Sequence, residues 1–333
     1  MRAAINTQYG PPGVLSSKEV DRPTAGHGEV VVEVHASVVT QGDRRLRAAD
    51  FPGFMGLFGR LLFGLRRPRH SVGGSMFAGR VVEVGAGVTK LAVGDDVFGS
   101  VMRGAYAEYL AISEDQAIAA MPTNVSYAEA AAIPYGAGTA LVFLRDLAEV
   151  RPGERVLVVG ASGGVGRMAV QIAKHLGAEV TGVCGSDEDL VRGLGADDVI
   201  DYRRERFTEL ERRWDVILDT TEGDHFRSYR RALTPRGRYL SLYVTPRLLW
   251  EMAVTKLGEG QRAIAGVAQG SAALTEELRE LVQQGALRAV IAERFTLEDI
   301  ARAHAFLETQ HPHGSVVVDV VASTTSSAEI HAT

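Results

Sequence analysis

The chain has 333 residues, 46% hydrophobic and 23% charged, with 36 Lys and Arg against 41 Asp and Glu for a formal net charge of −5. That length accommodates two domains, the composition is that of an ordinary globular protein, and the mildly acidic balance leaves no electrostatic footprint for nucleic acid. A single cysteine, Cys184, excludes a disulfide framework and a Cys-rich zinc lobe.

Residues 1 to 124 read as mostly β. The runs Val30–Ala36, Gly79–Val84 and Asp96–Phe98 are short and strand-like, separated by turns such as Gly85-Ala86-Gly87 and Gly94-Asp95. Met1-Arg2-Ala3-Ala4-Ile5 leads straight into strand-like sequence rather than a signal peptide. No apolar run approaches the roughly 18 residues of a membrane span, so a cytoplasmic location is expected. Between two of the strands lies Phe51–His70, FPGFMGLFGRLLFGLRRPRH, both apolar and basic. It reads either as a membrane-surface segment or as a lid over a pocket. The lid is preferred because its glycines and two prolines break any long helix.

From Tyr127 the period becomes helical, over Ala128–Ile133 and Thr139–Ala148. Arg155–Val159 is then a β-branched run of the kind that fills a parallel strand buried on both faces. Gly160-Ala161-Ser162-Gly163-Gly164-Val165-Gly166 follows as a turn, then a helix over Met168–Leu176 and a second strand from Glu179 to Val183. Strand, glycine turn, helix and strand within about thirty residues form the context of a dinucleotide site. Glycines let the main chain approach a pyrophosphate, which sits on the unpaired N–H groups of the helix start. Helices are expected at Asp189–Leu194, near Phe226–Leu233, at Leu274–Gln284 and at Leu297–Glu308. Strands are expected at Asp198–Ile200, Val216–Leu218, Tyr239–Leu242, Ala263–Val267 and Ser315–Val321. Strands alternating with helices imply a doubly wound parallel sheet. From Ser323 onward the residues are small and polar, as in a frayed tail.

With these stretches in place the chain resembles the medium-chain dehydrogenase/reductase superfamily, in its zinc-free quinone oxidoreductase-like branch. The landmarks are MRAAINTQYGPPGVL at the start, GEVVVEVHASVV at 28–39, AGRVVEVGAGVTKLAVGDDVFG at 78–99 and GAYAEYL at 104–110. AAAIPYGAGTAL at 130–141, ERVLVVGASGGVG, LGADDVIDY at 194–202 and the closing HGSVVVDV complete the series. The resemblance implies an α/β protein with a GroES-like β-barrel catalytic domain, residues 1–124 and 269–333, and an inserted Rossmann domain, residues 125–268. Substrate would lie in the cleft between them. Related proteins are commonly dimers, often paired through Rossmann sheet edges, and Ala263–Val267 is a plausible edge strand; a homodimer is therefore expected.

Zinc-dependent relatives carry a Cys in the loop after the second strand and a His-Glu pair before the Ala-Gly step. Here those positions hold Val39-Thr40-Gln41-Gly42-Asp43 and Gly74-Ser75-Met76-Phe77-Ala78-Gly79, without a suitable ligand. No zinc is expected. Hydride transfer from a reduced nicotinamide then requires an acceptor that is already electrophilic, a quinone or an α,β-unsaturated carbonyl, held and polarised by hydrogen bonds.

NAD-preferring enzymes usually end the second strand with Asp or Glu for the ribose hydroxyls. Here the strand ends in Cys184-Gly185-Ser186, which leaves room for a 2′-phosphate, so NADPH is expected ahead of NADH. Related quinone reductases hold that phosphate with a small polar residue, a Lys and a Tyr. Ser186 and Tyr202 match two of these, while Asp187 stands at the Lys position, and Arg203 or Arg204 could supply the missing charge.

Carried over by position, Ala161, Ser162, Gly163, Gly164, Val165 and Gly166 would line the pyrophosphate, with Gly185, Ser186, Tyr202 and Arg203 at the adenosine end. Pro134, Gly138, Thr139, Leu242 and Tyr243 would lie near the nicotinamide. Thr40 and Asp43, in the vacated metal loop, and the phenols Tyr135 and Tyr106 are the catalytic candidates. Phe51, Phe54, Phe58 and Phe63 would suit a planar apolar acceptor. Two other functions stay open. One is an enoyl-thioester reductase whose carrier docks on Arg60, Arg66, Arg67 and Arg69. The other is a cofactor-binding regulatory protein with little turnover.

Overall fold

The computed structural model describes residues 1–50, 60, 61, 63–222, 225–309 and 312–321. The expected lid aromatics Phe51, Phe54 and Phe58 and the polar tail from Ser323 lie outside these residues.

The N-terminal half is built from β1 (Arg2–Asn6), β2 (Leu15–Glu19), β3 (Glu29–Val39), α1 (Gln41–Ala48), β4 (Met76–Val84), β5 (Asp96–Ser100), β6 (Tyr109–Ser113) and β7 (Ile118–Ala120). The helices α2 (Tyr127–Ala132) and α3 (Pro134–Leu141) lead into the strand β8 (Arg155–Val159). Next come α4 (Gly164–His175), β9 (Glu179–Cys184), α5 (Glu188–Gly193), β10 (Asp198–Asp201), β11 (Trp214–Asp219), α6 (Phe226–Tyr229), β12 (Leu233–Ser241), α7 (Pro246–Lys256) and β13 (Arg262–Ala265). The chain closes with α8 (Ala272–Gln283), β14 (Ile291–Thr296), α9 (Ile300–Thr309) and β15 (Ser315–Asp319).

β8 to β13 form one parallel sheet in the order β10-β9-β8-β11-β12-β13. Its central strands alternate between two cores: Val156 and Val158 pack with α4 on one side, Leu157 and Val159 with Trp214 and Tyr239 on the other. The second sheet centres on β3, which pairs antiparallel with β4, β6 and β15. The C-terminal strand β15 therefore joins the N-terminal sheet, and α3 and α8 span the join between the two halves. A GroES-like unit joined to a doubly wound Rossmann unit describes this architecture.

Several elements depart from the sequence expectation. Gln41-Gly42-Asp43, expected within the loop after the second strand, open α1, whose polar face hid it; Thr40 and Asp43 make its capping box. α4 begins at Gly164, four residues before the expected Met168, because the glycines themselves form its first turn. The helix expected over Thr139–Ala148 is Pro134–Leu141, begun by a proline in its first turn, followed by a wider turn over Val142–Leu147. The helix near Phe226–Leu233 stops at Tyr229, and Leu233 opens β12. α7 and β14 were unexpected: α7 has a weak apolar face, and β14 has no fully buried residue and so no alternation to read.

Candidate active site

The glycine turn is built by close approach. Gly160, with φ of +78°, adopts a left-handed conformation that turns the chain out of β8. A Cβ on Gly166 would lie 2.1 Å from the Gly160 carbonyl oxygen, so the first turn of α4 rests directly on the end of the strand. Gly163 and Gly164 are exposed, no side chain caps α4, and a Cβ at Gly164 would meet open space. The result is a bare helix N-terminus over a glycine cradle, which suits a pyrophosphate. Ala161 and Val165 are buried at its edges, and Ser162 is half-buried.

One residue here escaped the sequence reading. Arg167, 2% exposed, donates from Nη1 to the Ser162 carbonyl at 2.9 Å. Its Nε is buried without a partner among the described residues. Burial pulls its pKa down to about 10, the Asp187 carboxylate acting in the opposite direction. An Arg after the last glycine looks like a solvent-facing helix residue in sequence; in the fold it is buried against the turn it follows.

At the adenosine end, the exposed Tyr202 ring lies against Gly185. Ser186 Oγ donates to Asp187 at 3.2 Å, and Asp187, in a left-handed conformation, also pairs with His313. Arg203 is folded back on Asp201, with Nε and Nη2 each 2.9 Å from a carboxylate oxygen, and Arg204 contacts Asp201 and Glu188. That pairing holds the Asp201 carboxyl down to about 2. The charge expected of Arg203 is therefore engaged within the protein in this structure.

Across the cleft, α1 presents two faces. Gly42 and Arg45 face the parallel-sheet half: a Cβ on Gly42 would touch the Tyr135 ring at 3.6 Å, the Arg45 guanidinium lies 4.7 Å from the centre of the Tyr243 ring, and Arg45 also pairs with Glu222. Burial, with the nearby Asp43 carboxylate, pushes the Tyr135 phenol up to about 12. Thr139 Oγ1 donates to the Tyr135 carbonyl at 2.7 Å. Leu242 and Tyr243 follow β12, positioned by Leu242 N donating to the Asp219 carbonyl at 3.3 Å and Tyr243 N to Ser241 Oγ at 3.1 Å.

Asp43 is 5% exposed; its Oδ2 accepts from Thr40 N at 2.9 Å and Thr40 Oγ1 at 2.6 Å. Burial raises its pKa, while the hydroxyls of Thr40, Ser75 and Tyr106 favour the carboxylate. Thr40 and Asp43 thus sit at the start of α1 beside Gly42 and Tyr135, and Arg45 of the same helix reaches Tyr243; on the far side of α3, a Cβ on Gly136 would meet the Gly164 carbonyl at 2.7 Å, which sets α3 against the glycine turn. Asp219, also missed in the sequence, is fully buried at the end of β11 and accepts from Thr221 Oγ1 at 2.6 Å and Tyr239 Oη at 3.0 Å, fixing the loop beside the cradle. Among the described residues no three His, Cys, Asp or Glu side chains converge to hold a metal, and no helix is long and apolar enough to cross a membrane.

A family model described as "Alcohol dehydrogenase GroES-like domain" matches residues 26–123, and one described as "Zinc-binding dehydrogenase" matches residues 194–318. The chloroplastic quinone-oxidoreductase QR1 of Triphysaria versicolor is 30% identical over 334 residues, covering 96% of this chain and 98% of that protein. A segment of the polyketide synthase GfsB of Streptomyces halstedii is 37% identical over 254 residues, covering 74% of this chain but spanning only 4% of that protein's length. Among solved structures, the Escherichia coli quinone oxidoreductase complexed with NADPH superposes with a TM-score of 0.80 at 26% identity, covering 96% of this chain and 100% of that one.

Proposed function

The chain belongs to the medium-chain dehydrogenase/reductase superfamily, in its zinc-free quinone oxidoreductase-like branch, and on that premise we propose that it reduces a quinone or an α,β-unsaturated carbonyl at the expense of NADPH. The observation that carries this reading is the bare glycine cradle at the start of α4, with Gly136 of α3 packed on the Gly164 carbonyl and the neighbouring Tyr135 ring against Gly42 of α1. When bound, the reduced nicotinamide supplies the hydride.

The chain's own residues do the rest. The first turn of α4 and Ala161 to Gly166 hold the pyrophosphate. Ser186, Tyr202 and Gly185 receive the adenosine ribose phosphate, and Arg203 would serve it only by leaving its pair with Asp201. Leu242, Tyr243 and Thr139 confine the nicotinamide. Tyr135 offers its hydroxyl to the acceptor oxygen, while Thr40, whose hydroxyl donates to Asp43, holds the polar loop beside it together. The NADPH preference is supported by the absence of an acid at the end of β9 and by the NADPH-bound relative. A homodimer through β13 is supported by that strand's position at the edge of the parallel sheet. The single cysteine fits a reducing compartment such as the cytoplasm.

A second reading, reduction of an enoyl thioester, is favoured by the polyketide synthase match and by Arg66, Arg67 and Arg69 lining one groove in a stretch with no acidic residue between Asp50 and Glu83. Steady-state assays with NADPH and a quinone, a 2-alkenal and an enoyl-pantetheine thioester separate the two. The quinone or alkenal is expected to give the highest kcat/KM, and turnover confined to the thioester would shift the assignment. NADPH binding without oxidation by any acceptor would indicate a regulatory cofactor-binding protein.

A further inference from the structure

The adenosine end of the cofactor site holds an anion of the chain's own. Asp187 stands at the N-cap position of α5, where an aspartate ordinarily accepts from the helix N–H groups, yet its carboxylate caps nothing. Its backbone is left-handed, with φ of +65°, and its side chain meets two other donors. Ser186 Oγ, at 3.2 Å, and His313 Nδ1 both engage the same oxygen, Oδ2. A carboxylate only accepts, so both partners donate. His313 lies between α9 and β15, in the half that does not carry the glycine turn, and the pair therefore ties the two halves together. The charge of Asp187 also reaches Arg167 beneath the turn and Cys184 at the end of β9.

The neighbouring cations are engaged elsewhere. Arg203 is folded on Asp201, and Arg204 divides itself between Asp201 and Glu188. Arg167 is buried and bonds the Ser162 carbonyl. The exposed His313 differs, because its carboxylate partner is itself half-buried at the strand end where the ribose phosphate would lie. A carboxylate oxygen gripped by a hydroxyl and an imidazole has the charge and the donor set of a bound phosphate oxygen. We infer that Asp187 keeps the place of the 2′-phosphate until NADPH arrives, and that the phosphate then takes Ser186 and His313 from it. This rests on the NADPH reading above.

The exchange replaces one anion by another and alters no covalent bond. The phosphate gains the Ser186 hydroxyl and the His313 imidazole, while the Asp187 carboxylate turns to water. An Asp187 that stayed would face the phosphate as like charge on like charge. Displacing it is therefore part of the cost of binding NADPH and no part of binding NADH, which lacks the phosphate and leaves the pair intact. His313 is then a specificity-determining residue, supplied by the C-terminal segment where position 187 offers no lysine. Through it NADPH, unlike NADH, is held from both halves of the molecule.

Fluorescence titration with NADPH and with NADH tests this in the wild type, Asp187→Asn, His313→Gln and the double variant. Asp187→Asn keeps the size of the side chain and removes the competing charge. It is expected to tighten NADPH about tenfold and to leave the NADH Kd within about twofold. His313→Gln should weaken NADPH by about threefold in the wild type and about tenfold beside Asp187→Asn, where the imidazole no longer has a carboxylate to leave. All four proteins should melt within a few degrees of one another, because the pair is partly exposed. An Asp187→Asn protein with unchanged or weaker NADPH binding would overturn the inference, as would changes that fall equally on NADPH and NADH. A His313→Gln effect of the same size in both backgrounds would overturn it too. A wild type that prefers NADH, and loses that preference in Asp187→Asn, would instead refute the NADPH reading, with Asp187 accepting from the ribose hydroxyls, and the inference with it.

Discussion

Arg167 places a positive charge directly beneath the glycine turn, buried and only partly bonded. Removing the charge while keeping the shape, as in Arg167→Met, is expected to weaken NADPH binding about tenfold by fluorescence titration. The melting temperature should hold or rise, because a half-satisfied buried cation costs stability. A lower melting temperature with unchanged affinity would mean that Arg167 merely props Ser162. His304 makes a separate prediction. Burial first, and Arg47 second, hold its folded-state pKa at about 3, against 6.5 for the free side chain. The unfolded chain therefore takes up a proton below pH 6.5 that the folded chain refuses. The stability held above pH 6.5 falls by up to about 1.4 kcal/mol per pH unit as pH drops from 6.5 toward 3. Denaturant melts of wild type and His304→Gln between pH 7 and 5 check this, and the variant should show the shallower slope. At this scale Thr40 and Asp43 could be named as candidates because their motif position follows the long strand, and Tyr202 and Ser186 because they flank strand ends. Arg167 and His304 could not: nothing in their local sequence marks them as buried, and His304 meets Tyr106 and Arg47 from distant segments.

The glycine turn and α4 make a prediction that separates structure from binding. Gly166→Ala would push a Cβ against the Gly160 carbonyl, 2.1 Å away, which the backbone can relieve only by moving the helix. Its unfolding free energy should fall by about 2 kcal/mol or more. Gly164→Ala meets open space, so its melting temperature should stay within a few degrees while NADPH affinity drops, since the new methyl stands where the phosphates approach. Equal melting losses in both variants would contradict this division. Strands β8, β9 and β11 were readable because a parallel strand covered on both faces is a continuous apolar run. α1 was not, because both of its inward faces carry charged residues: Arg45 toward Tyr243, and Asp43 and Arg47 toward Tyr106 and Glu308. β14 was missed for a related reason, since an edge strand with exposed Glu293 and Arg294 shows no alternation.

At the scale of the molecule, β13 forms one edge of the parallel sheet, and exposed apolar side chains cluster in sequence around it: Trp250, Val254, Leu257 and Val267 are 60%, 49%, 92% and 78% exposed. An open edge with this much apolar surface invites pairing. Val267→Asp combined with Leu257→Asp is expected to convert a dimer to a monomer by light scattering, and an unchanged mass would contradict the proposed pairing. The return of the last strand to the N-terminal sheet was implied by resemblance rather than by any local pattern, since β15 finds its partner β3 almost three hundred residues upstream. The central claim is that this cleft transfers hydride without a metal. It is tested most directly by following loss of reduced nicotinamide absorbance with NADPH and a quinone or 2-alkenal, with and without a chelator. The account predicts turnover that the chelator leaves unchanged; activity abolished by the chelator and restored by zinc, or no oxidation with any acceptor, would contradict it.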